Sequence, residues 1–335
     1  MRIGSVMRKV AVIGSGSWAT AIVKILLNNV EEVHWWVREP EIKQSLETNG
    51  VNALYLSGLE FPKERLRVSH DLKAVVEAVE AVVLVVPSAF VEDTLQALPE
   101  TAWAGKKVCS ATKGIIPQTN QVVGEYLRDR WHIAERDMAV ISGPSHAEEV
   151  ALGRLTYLTA ASVDEATAKY FADLFTCRYV HVRLSDDVYG IEYAAVIKNV
   201  YALAVGIAKG LGYGDNFAAV LVANAVEEMN VFLKEVHHIH RNLASAPYIG
   251  DLLVTSYSQF SRNRTFGNMI GQGYSVRSAI LEMKMVAEGY YASRCVHDIK
   301  RAMPIAMPIL EAVHDILYEN KKAATVFAAL EPKLK

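Results

Sequence analysis

One short glycine-rich segment constrains the fold of this chain more than any other feature. Gly14, Gly16 and Ala19 form the pattern G-x-G-x-x-A directly after the apolar run 9–13, and helical spacing begins at Ser17. In a dinucleotide-binding βαβ unit, the first glycine makes the tight turn and the second lets a pyrophosphate approach the backbone. The third small residue lets the helix pack against the strand, and the helix N-terminus favours an anion. This context predicts that the segment binds a dinucleotide.

The first half of the chain alternates between strand-like and helical patterns. Residues 81–86 are a continuous apolar run, as is typical of a parallel strand that is buried on both faces. Strand and helix repeated in this way predict an α/β fold with a doubly wound sheet of the Rossmann type. Further strands are predicted at 32–37, 107–111, 138–142, 155–161 and 179–182, and helices at 17–27, 71–79, 120–130 and 164–175.

The pattern changes near residue 187, after which helical periodicity dominates and no convincing strand follows. Helices are predicted at 189–209, 217–237, 275–301 and 308–320. A length of 335 residues allows about two domains, and 51% hydrophobic residues can fill two cores. We therefore predict a dinucleotide-binding Rossmann domain at 1–187 and an all-helical, substrate-binding domain at 188–335.

Composition excludes several other classes of protein. The 35 basic and 37 acidic residues nearly cancel, which argues against a dedicated binder of nucleic acid or membrane surfaces. Cys109, Cys177 and Cys295 are far apart and predict neither a disulfide framework nor a zinc site, so a reducing cytoplasm is expected. Uncharged apolar stretches reach about 11 residues, whereas a spanning helix needs about 20, so we expect a soluble protein without a membrane span.

The end of the second predicted strand bears on the choice of dinucleotide. NAD enzymes usually place a carboxylate about 20 residues beyond the glycines, where it holds the ribose 2′-hydroxyl. This chain has Arg38 at that point, and its guanidinium can pair with the 2′-phosphate of NADP. Glu39 follows and keeps NAD possible, and Arg38 could also be no more than a solvated charge. The sequence therefore leaves both NAD and NADP open.

A series of motifs resembles the bacterial type of NAD(P)-dependent glycerol-3-phosphate dehydrogenase. The motifs occur in the family's order and near the family's spacing from residue 9 to about residue 320. They are GSGSWATA at 14–21, VVPS at 85–88, ATKG at 111–114, SGPSHA at 142–147, KNV at 198–200, GD at 250–251, SRNR at 261–264 with FG at 266–267, and EGY at 288–290. Two departures are Ala194-Ala195, where the family usually has a glycine pair, and the stretch 236–241 with three histidines.

This resemblance implies an activity and an assembly. The family reduces dihydroxyacetone phosphate reversibly to sn-glycerol 3-phosphate with NADH or NADPH, and so supplies glycerophospholipid synthesis. It has an N-terminal Rossmann domain and a C-terminal helical domain, and it is usually a homodimer. No metal is needed, and His237, His238 and His240 lack the helical i, i+4 pairing and the acidic neighbours of a metal site. We therefore expect no metal.

Lys198 is the candidate catalytic residue. It lies in the apolar run 194–200, and burial lowers the pKa of a lysine towards neutrality, as proton transfer requires. The resemblance places the family's catalytic lysine here. Asp251 could hold a substrate hydroxyl, orient Lys198 or cap the following helix, and the guanidinium fork of Arg262 suits a phosphate.

The resemblance implies the remaining site residues. The substrate would be bound by Lys113, Gly143, Ser145, Asp251, Ser261, Arg262 and Asn263. The cofactor would be bound by Gly14, Gly16, Ser17, Trp18, Arg38, Phe90, Lys113, Ala147, Arg262, Val286 and Glu288. Two alternatives remain open: a related β-hydroxyacid or ketopantoate-type reductase with the same two-domain plan, and a non-catalytic dinucleotide-binding redox sensor.

Overall fold

The computed structural model describes residues 8–283 and 287–335. The strands are β1 Val10–Ile13, β2 Val33–Trp36, β3 Leu66–Ser69, β4 Ala81–Leu84, β5 Lys107–Ser110, β6 Ile115–Ile116, β7 Gln121–Val122, β8 Met138–Ser142, β9 Thr156–Ala161 and β10 Val180–Ser185. The helices are α1 Ser17–Leu26, α2 Pro40–Asn49, α3 Leu72–Glu77, α4 Val91–Leu95, α5 Val123–Trp131, α6 Ala147–Ala151, α7 Glu165–Phe175, α8 Val188–Gly210, α9 Asp215–Val236, α10 Asp251–Tyr257, α11 Arg262–Gly271, α12 Val276–Glu282, α13 Glu288–Lys300, α14 Pro308–Leu317 and α15 Ala323–Leu330.

The chain forms two units. The first, the sheet unit, contains residues up to Thr112 together with Val123–Val188 and is built on an eight-stranded sheet. The strand order is β10-β9-β8-β5-β4-β1-β2-β3, and every pair is parallel except β8 with β9. Strands β1 and β4 are fully buried, because helices cover both faces of the sheet. The predicted Rossmann-type doubly wound α/β fold is confirmed.

The second, the helical unit, contains Tyr189–Lys335 together with the segment Lys113–Val122, which carries the short antiparallel pair β6–β7. Apart from that pair the described residues of this unit form helices only, as predicted. The helix α8 is its core, since every side chain from Gly190 to Ala208 is buried. No pattern in the sequence indicates that residues 113–122 belong with the helices.

Helices α8 and α11 approach each other unusually closely through glycines. A Cβ atom at Gly206 or Gly210 would collide with backbone atoms of α11, and one at Gly267 or Gly271 would collide with backbone atoms of α8. Because glycine has no side chain, the two backbones can lie in direct contact. The crossing therefore fixes α11, whose first residue is Arg262, against the helix that carries Lys198.

The structure differs from the sequence-based prediction at several elements. The predicted helix 275–301 is two helices, because the chain becomes extended at Met283 after α12 and α13 begins only at Glu288. The sequence-based prediction lacks helices α2, α4, α6, α10, α11 and α15 and strands β3, β6 and β7. The pattern of α2 is weak, because this helix buries only Ile42 and Leu46 and so has no clear apolar stripe.

Helices α8 and α9 are long and apolar enough to cross a membrane by length and hydropathy alone, with mean hydropathies of 1.4 and 1.2. Charged residues interrupt the apolar sequence of each helix, so neither contains an uncharged run of about 20 residues. The core helix of a folded protein meets the same criteria, and the apolar window of α8 is 100% buried. The corresponding window of α9 is only 39% buried.

Candidate active site

The glycine loop follows β1 and has the shape that a pyrophosphate site requires. Gly14 has φ +134°, and a Cβ there would lie 2.8 Å from the carbonyl oxygen of Val85, so only glycine fits this turn. A Cβ at Gly16 would meet no atom within 4 Å, so the surface above that residue is open. Ser17 and Trp18 begin α1, whose first N–H groups face this opening. The residues therefore fit a dinucleotide.

The end of β2 places a carboxylate beside the glycine loop. Glu39 accepts a hydrogen bond from the Ser15 hydroxyl, and its side chain is only 17% exposed. Arg38 is largely exposed, donates to Glu39 through Nε and Nη2 at 3.1 and 2.8 Å, and lies over the ring of Phe90. Burial opposes ionisation of Glu39, but the hydrogen bonds from Ser15 and Arg38 outweigh it, so the pKa of Glu39 is lowered.

A second close turn follows β8. Gly143 has φ +133°, and a Cβ there would lie 2.7 Å from the carbonyl oxygen of Tyr157. The Ser145 hydroxyl donates to the Gly143 carbonyl at 2.9 Å, and Ala147 is the first residue of α6. Because β1, β2, β4, β5 and β8 are parallel, the segments after them share one edge of the sheet, where ligands of open α/β sheets bind.

Within the helical unit, two lysines meet one buried carboxylate. Lys198 Nζ lies 2.5 Å from Asp251 Oδ1 and 3.1 Å from the hydroxyl of Thr255. Lys113 Nζ lies 3.3 Å from the other carboxylate oxygen, Asp251 Oδ2. Lys198 and Asp251 are 3% and 1% exposed, so this pair has almost no contact with solvent, whereas the side chain of Lys113 is 19% exposed. Gly250 holds the N-cap position of α10, and the two carboxylate oxygens of Asp251, the first residue of that helix, each contact one lysine.

Burial and the charges within the cluster shift the pKa values of Lys198 and Asp251. Burial is the largest effect on Lys198 and lowers its pKa to about 7; attraction to Asp251 opposes this shift, and repulsion from Lys113 adds to it. Burial would raise the pKa of Asp251, but attraction to Lys113 and Lys198 more than compensates and leaves it below its ordinary value. At neutral pH a proton can therefore leave or join Lys198 while Asp251 stays ionised.

A chain of amides connects the neighbouring elements. Asn199 donates to the Lys113 carbonyl at 2.9 Å and accepts from Asn263 at 2.8 Å. Asn263 in turn accepts from the Gly289 N–H at 2.8 Å, next to Glu288 at the start of α13. The loop of Lys113, the helix of Lys198 and the starts of α11 and α13 are therefore bound to one another.

The start of α11 presents a cation. Ser261 caps the helix by accepting from the Arg264 N–H, which leaves the hydroxyl hydrogen of Ser261 able to donate. Arg262 is exposed, and it forms no ion pair with any residue of 8–283 or 287–335. A guanidinium at a helix N-terminus provides charge and N–H donors of the kind that bind phosphate.

The predicted residues thus fall into two groups. The sheet unit brings together the glycine loop, Arg38 and Phe90, and it presents Gly143, Ser145 and Ala147 at the edge of the sheet. The helical unit brings together Lys113, Lys198, Asp251, Ser261, Arg262, Asn263 and Glu288. Val286 lies outside the described residues.

Sequence reasoning missed two residues of the helical group. Thr255 lies one helical turn after Asp251, and its hydroxyl accepts a hydrogen bond from Lys198. Asn199 directly follows Lys198 and forms the amide chain. The i, i+4 spacing of Asp251 and Thr255 was a usable signal, because residues four apart share one helix face.

Comparison with known proteins gives a consistent result. Residues 9–168 match the family model for the N-terminus of NAD-dependent glycerol-3-phosphate dehydrogenase, and residues 187–328 match the model for its C-terminus. The chain is 35% identical to glycerol-3-phosphate dehydrogenase [NAD(P)+] of Chlorobium phaeobacteroides, over 97% of this chain and 98% of that protein.

Solved structures extend the comparison. The crystal structure of glycerol-3-phosphate dehydrogenase from Coxiella burnetii has a TM-score of 0.89 and 30% identity, and the match covers 96% of this chain and 98% of that one. A ketopantoate reductase from Ralstonia eutropha has a TM-score of 0.61 at 19% identity over 96% of this chain and 99% of that one, which shows a shared fold alone.

Proposed function

The chain belongs to the NAD-dependent glycerol-3-phosphate dehydrogenase family, and from this premise we propose which side chains perform the reaction. It is an oxidoreductase that reduces dihydroxyacetone phosphate to glycerol 3-phosphate with NADH or NADPH. The observation that carries the proposal is the buried cluster of Lys198, Asp251 and Lys113.

The cofactor is held by the sheet unit in this proposal. Gly14 and Gly16 shape the turn, and the open face of the loop with Ser17 and Trp18 receives the pyrophosphate. When bound, the nicotinamide supplies or accepts the hydride. Arg38 and Phe90 flank the adenosine end, and Ala147, Lys113, Arg262, Val286 and Glu288 complete the contacts. The close turn at Gly14 supports the placement of the pyrophosphate.

Lys198 supplies the proton. Reduction of the ketone builds negative charge on the carbonyl oxygen as hydride adds to the carbon, and that oxygen must receive a proton. Lys198 donates this proton from its ammonium form, the C=O bond becomes a C–OH group, and the neutral amine remains. In the reverse direction the neutral amine accepts the hydroxyl proton. A pKa of about 7 suits both directions.

The residues around Lys198 fix its position and charge. Asp251 and the Thr255 hydroxyl accept from the ammonium group, so the side chain is held in one orientation inside the protein. Lys113 places a second positive charge beside the other carboxylate oxygen of Asp251. In the proposal, Lys113 also binds the substrate oxygen. A fixed cation stabilises the developing oxyanion without reorganisation of solvent.

The phosphate of the substrate is bound at the start of α11. Arg262 provides the guanidinium fork, and Ser261 and Asn263 provide a hydroxyl and a helix-terminal N–H group. Gly143 and Ser145 provide further contacts to the substrate from the edge of the sheet. The exposed guanidinium of Arg262 at this helix end supports a substrate with a doubly charged phosphate rather than one with a singly charged carboxylate.

A turnover assay tests the proposal. Purified protein is given dihydroxyacetone phosphate, unphosphorylated dihydroxyacetone or ketopantoate, each with NADH and with NADPH. We expect rapid oxidation of the cofactor with dihydroxyacetone phosphate alone. Preferential turnover of ketopantoate would support the related reductase, and cofactor binding without turnover of any of the three would support a redox sensor.

We propose that both cofactors are accepted and that NADPH is used at least as well as NADH. The exposed guanidinium of Arg38 can reach a 2′-phosphate, while the carboxylate of Glu39 beside Ser15 can serve a 2′-hydroxyl. Arg38→Asp should raise KM for NADPH much more than KM for NADH. A wild-type protein that strongly prefers NADH, with a ratio unchanged by Arg38→Asp, would make Arg38 a solvated charge only.

The cellular setting is also a proposal. We infer a cytoplasmic homodimer that supplies glycerol 3-phosphate to glycerophospholipid synthesis. The small number and wide spacing of the cysteines, at positions 109, 177 and 295, support a reducing compartment. The partly exposed apolar face of α9 supports association through the helical unit.

A further inference from the structure

The glycine loop is held by four hydrogen bonds to three successive carbonyl groups. Trp35 Nε1 donates to the Gly14 carbonyl at 2.7 Å, and Asn52 Nδ2 donates to the Ser15 carbonyl at 2.9 Å. The Gly16 carbonyl accepts from both the hydroxyl and the N–H of Thr20, at 2.9 and 3.0 Å. Every carbonyl of the loop therefore points towards the body of the sheet unit.

The direction of these carbonyls determines where the amide groups point. In a trans peptide the C=O of one residue and the N–H of the next point in opposite directions, and no described peptide of this chain is cis. The N–H groups of Ser15, Gly16 and Ser17 consequently face away from the donors on Trp35, Asn52 and Thr20, respectively. Within the described part of the chain these three amides donate to no protein acceptor. Three such groups in a row suit an anion.

Of the residues that donate hydrogen bonds to the glycine loop, Asn52 is the one that lies outside the βαβ unit. It lies just after α2, is 0% exposed, and uses its whole amide group. Besides Ser15, it donates to the Thr20 hydroxyl at 2.8 Å, and its oxygen accepts from the N–H groups of Leu54 and Tyr55. A buried amide is costly unless its hydrogen bonds are made, so this arrangement is rigid.

We propose that Asn52 is a positioning residue for the cofactor: it turns the Ser15–Gly16 peptide so that the Gly16 N–H faces the pyrophosphate. The inference rests on the proposed placement of the cofactor at the glycine loop. Asn52 touches no reacting atom. It acts through the orientation of one peptide and, through Thr20, through the orientation of the next.

The test uses Asn52→Ser, which is neutral and keeps a short oxygen for the turn at Leu54 but cannot reach Ser15. Binding is measured by calorimetry with ADP-ribose, which has the adenosine and the pyrophosphate but no nicotinamide. We expect Kd for ADP-ribose to rise about tenfold, the effect of one hydrogen bond, while the affinity for adenosine changes less than about twofold. In turnover, KM for NADH should rise similarly, with kcat and KM for dihydroxyacetone phosphate unchanged.

Leu54→Ala is the matched control, because Leu54 lies in the same turn, is 52% exposed and offers only its backbone to Asn52. It should bind ADP-ribose like the wild type. Equal weakening of ADP-ribose and adenosine binding in Asn52→Ser, or no weakening of either, would overturn the inference.

If Asn52→Ser does not fold, Thr20→Val provides the test. It should raise Kd for ADP-ribose about threefold, since the Thr20 N–H still holds the Gly16 carbonyl, and unchanged binding would overturn the inference. A wild type that does not bind ADP-ribose would refute the cofactor placement itself.

Discussion

At the scale of the residue, the proposed chemistry depends on two lysines that share one buried carboxylate. Buried charges cost stability unless each is paired, and here the buried Asp251 pairs with the buried Lys198 and with the partly exposed Lys113. The second positive charge makes the ammonium form of Lys198 less favourable than it would be in a simple ion pair. The cluster therefore stabilises an amine that changes its protonation state near neutral pH.

This protonation predicts opposite pH profiles for the two directions of the reaction. Reduction needs the ammonium form of Lys198, so kcat/KM for dihydroxyacetone phosphate should be level below pH 7 and fall about tenfold per unit above it. Oxidation of glycerol 3-phosphate needs the neutral amine and should fall as the pH drops below 7. Initial rates measured from pH 5.5 to about 9 in both directions check this.

Asp251→Asn provides a sharper version of the same measurement. It removes the attraction that raises the pKa of Lys198, so the falling limb for reduction should move to lower pH as the rate decreases. Asp215→Asn, at the exposed start of α9, is the control and should leave the profile in place. A limb that stays at the same pH in Asp251→Asn would assign it to another group.

Arg262 is expected to distinguish phosphorylated from unphosphorylated substrate. Arg262→Ala should weaken dihydroxyacetone phosphate by about 2 to 3 kcal/mol in kcat/KM, the value of a charge-assisted hydrogen bond, and should affect dihydroxyacetone much less. Arg277→Ala removes an equally exposed arginine from α12 and serves as the control. Equal losses with both substrates would show that Arg262 does not bind the phosphate.

At the scale of the element, the close crossing of α8 and α11 relates the lysine cluster to the proposed phosphate site. The α11 helix begins at Arg262, and its backbone touches α8 at Gly206 and Gly267. The amide chain from Asn199 to Asn263 connects the same two helices nearer the site. Packing and hydrogen bonding therefore act together on the position of Arg262.

Gly267→Ala tests this crossing. The new Cβ would collide with the Leu203 carbonyl and lie 3.0 Å from Ile207 N, so the helices must separate. We expect a loss of about 1 to 3 kcal/mol in the free energy of unfolding, seen as a lower Tm, and a KM for dihydroxyacetone phosphate that rises more than KM for NADH. Gly58→Ala, where a Cβ would meet no atom within 4 Å, should change neither. A Gly267→Ala protein with wild-type Tm would contradict the crossing.

Sequence patterns predicted the elements best where burial is simple. The fully buried strands β1, β4 and β8 and the core helix α8 were all found, because continuous apolar runs and clear periodicity mark them. The break between α12 and α13 was not found, since the periodicity continues on both sides of Met283. The helix α2 is polar on most of its surface and gave too little signal.

The sequence predicted some parts of the candidate site better than others. The glycine loop could be derived from the residues alone, whereas Lys113, Ser145 and Asp251 depended on the family resemblance. The partners Asn199 and Asn52 were missed, because contacts between residues far apart in the chain leave no local pattern, whereas Thr255 had a local signal in its i, i+4 spacing from Asp251. Asn52 bonds to Ser15 across 37 positions, and Asn199 to Asn263 across 64.

At the scale of the whole molecule, we expect two chains to associate through the helical unit. Ala219, Val220 and Ala223 are exposed on neighbouring turns of α9, and an apolar face of this kind favours contact with another protein surface. Light scattering at micromolar concentration should give twice the chain mass of 37.0 kDa. Val220→Lys should shift the mass towards one chain, and Val163→Lys, at a residue of the sheet unit that is 51% exposed against 42% for Val220, should not. A wild-type mass of one chain would contradict the dimer.

The turnover of Lys198→Met tests the central claim most directly. The variant keeps an unbranched side chain but has no proton to donate, so kcat for dihydroxyacetone phosphate should fall by about 100-fold or more, the usual contribution of a general acid. Binding of NADH, measured by fluorescence, should change by less than about twofold, and Lys209→Met, an exposed position on the same helix, should behave like the wild type. Near-normal turnover in a folded Lys198→Met protein would contradict the account, because the proton would then come from another group.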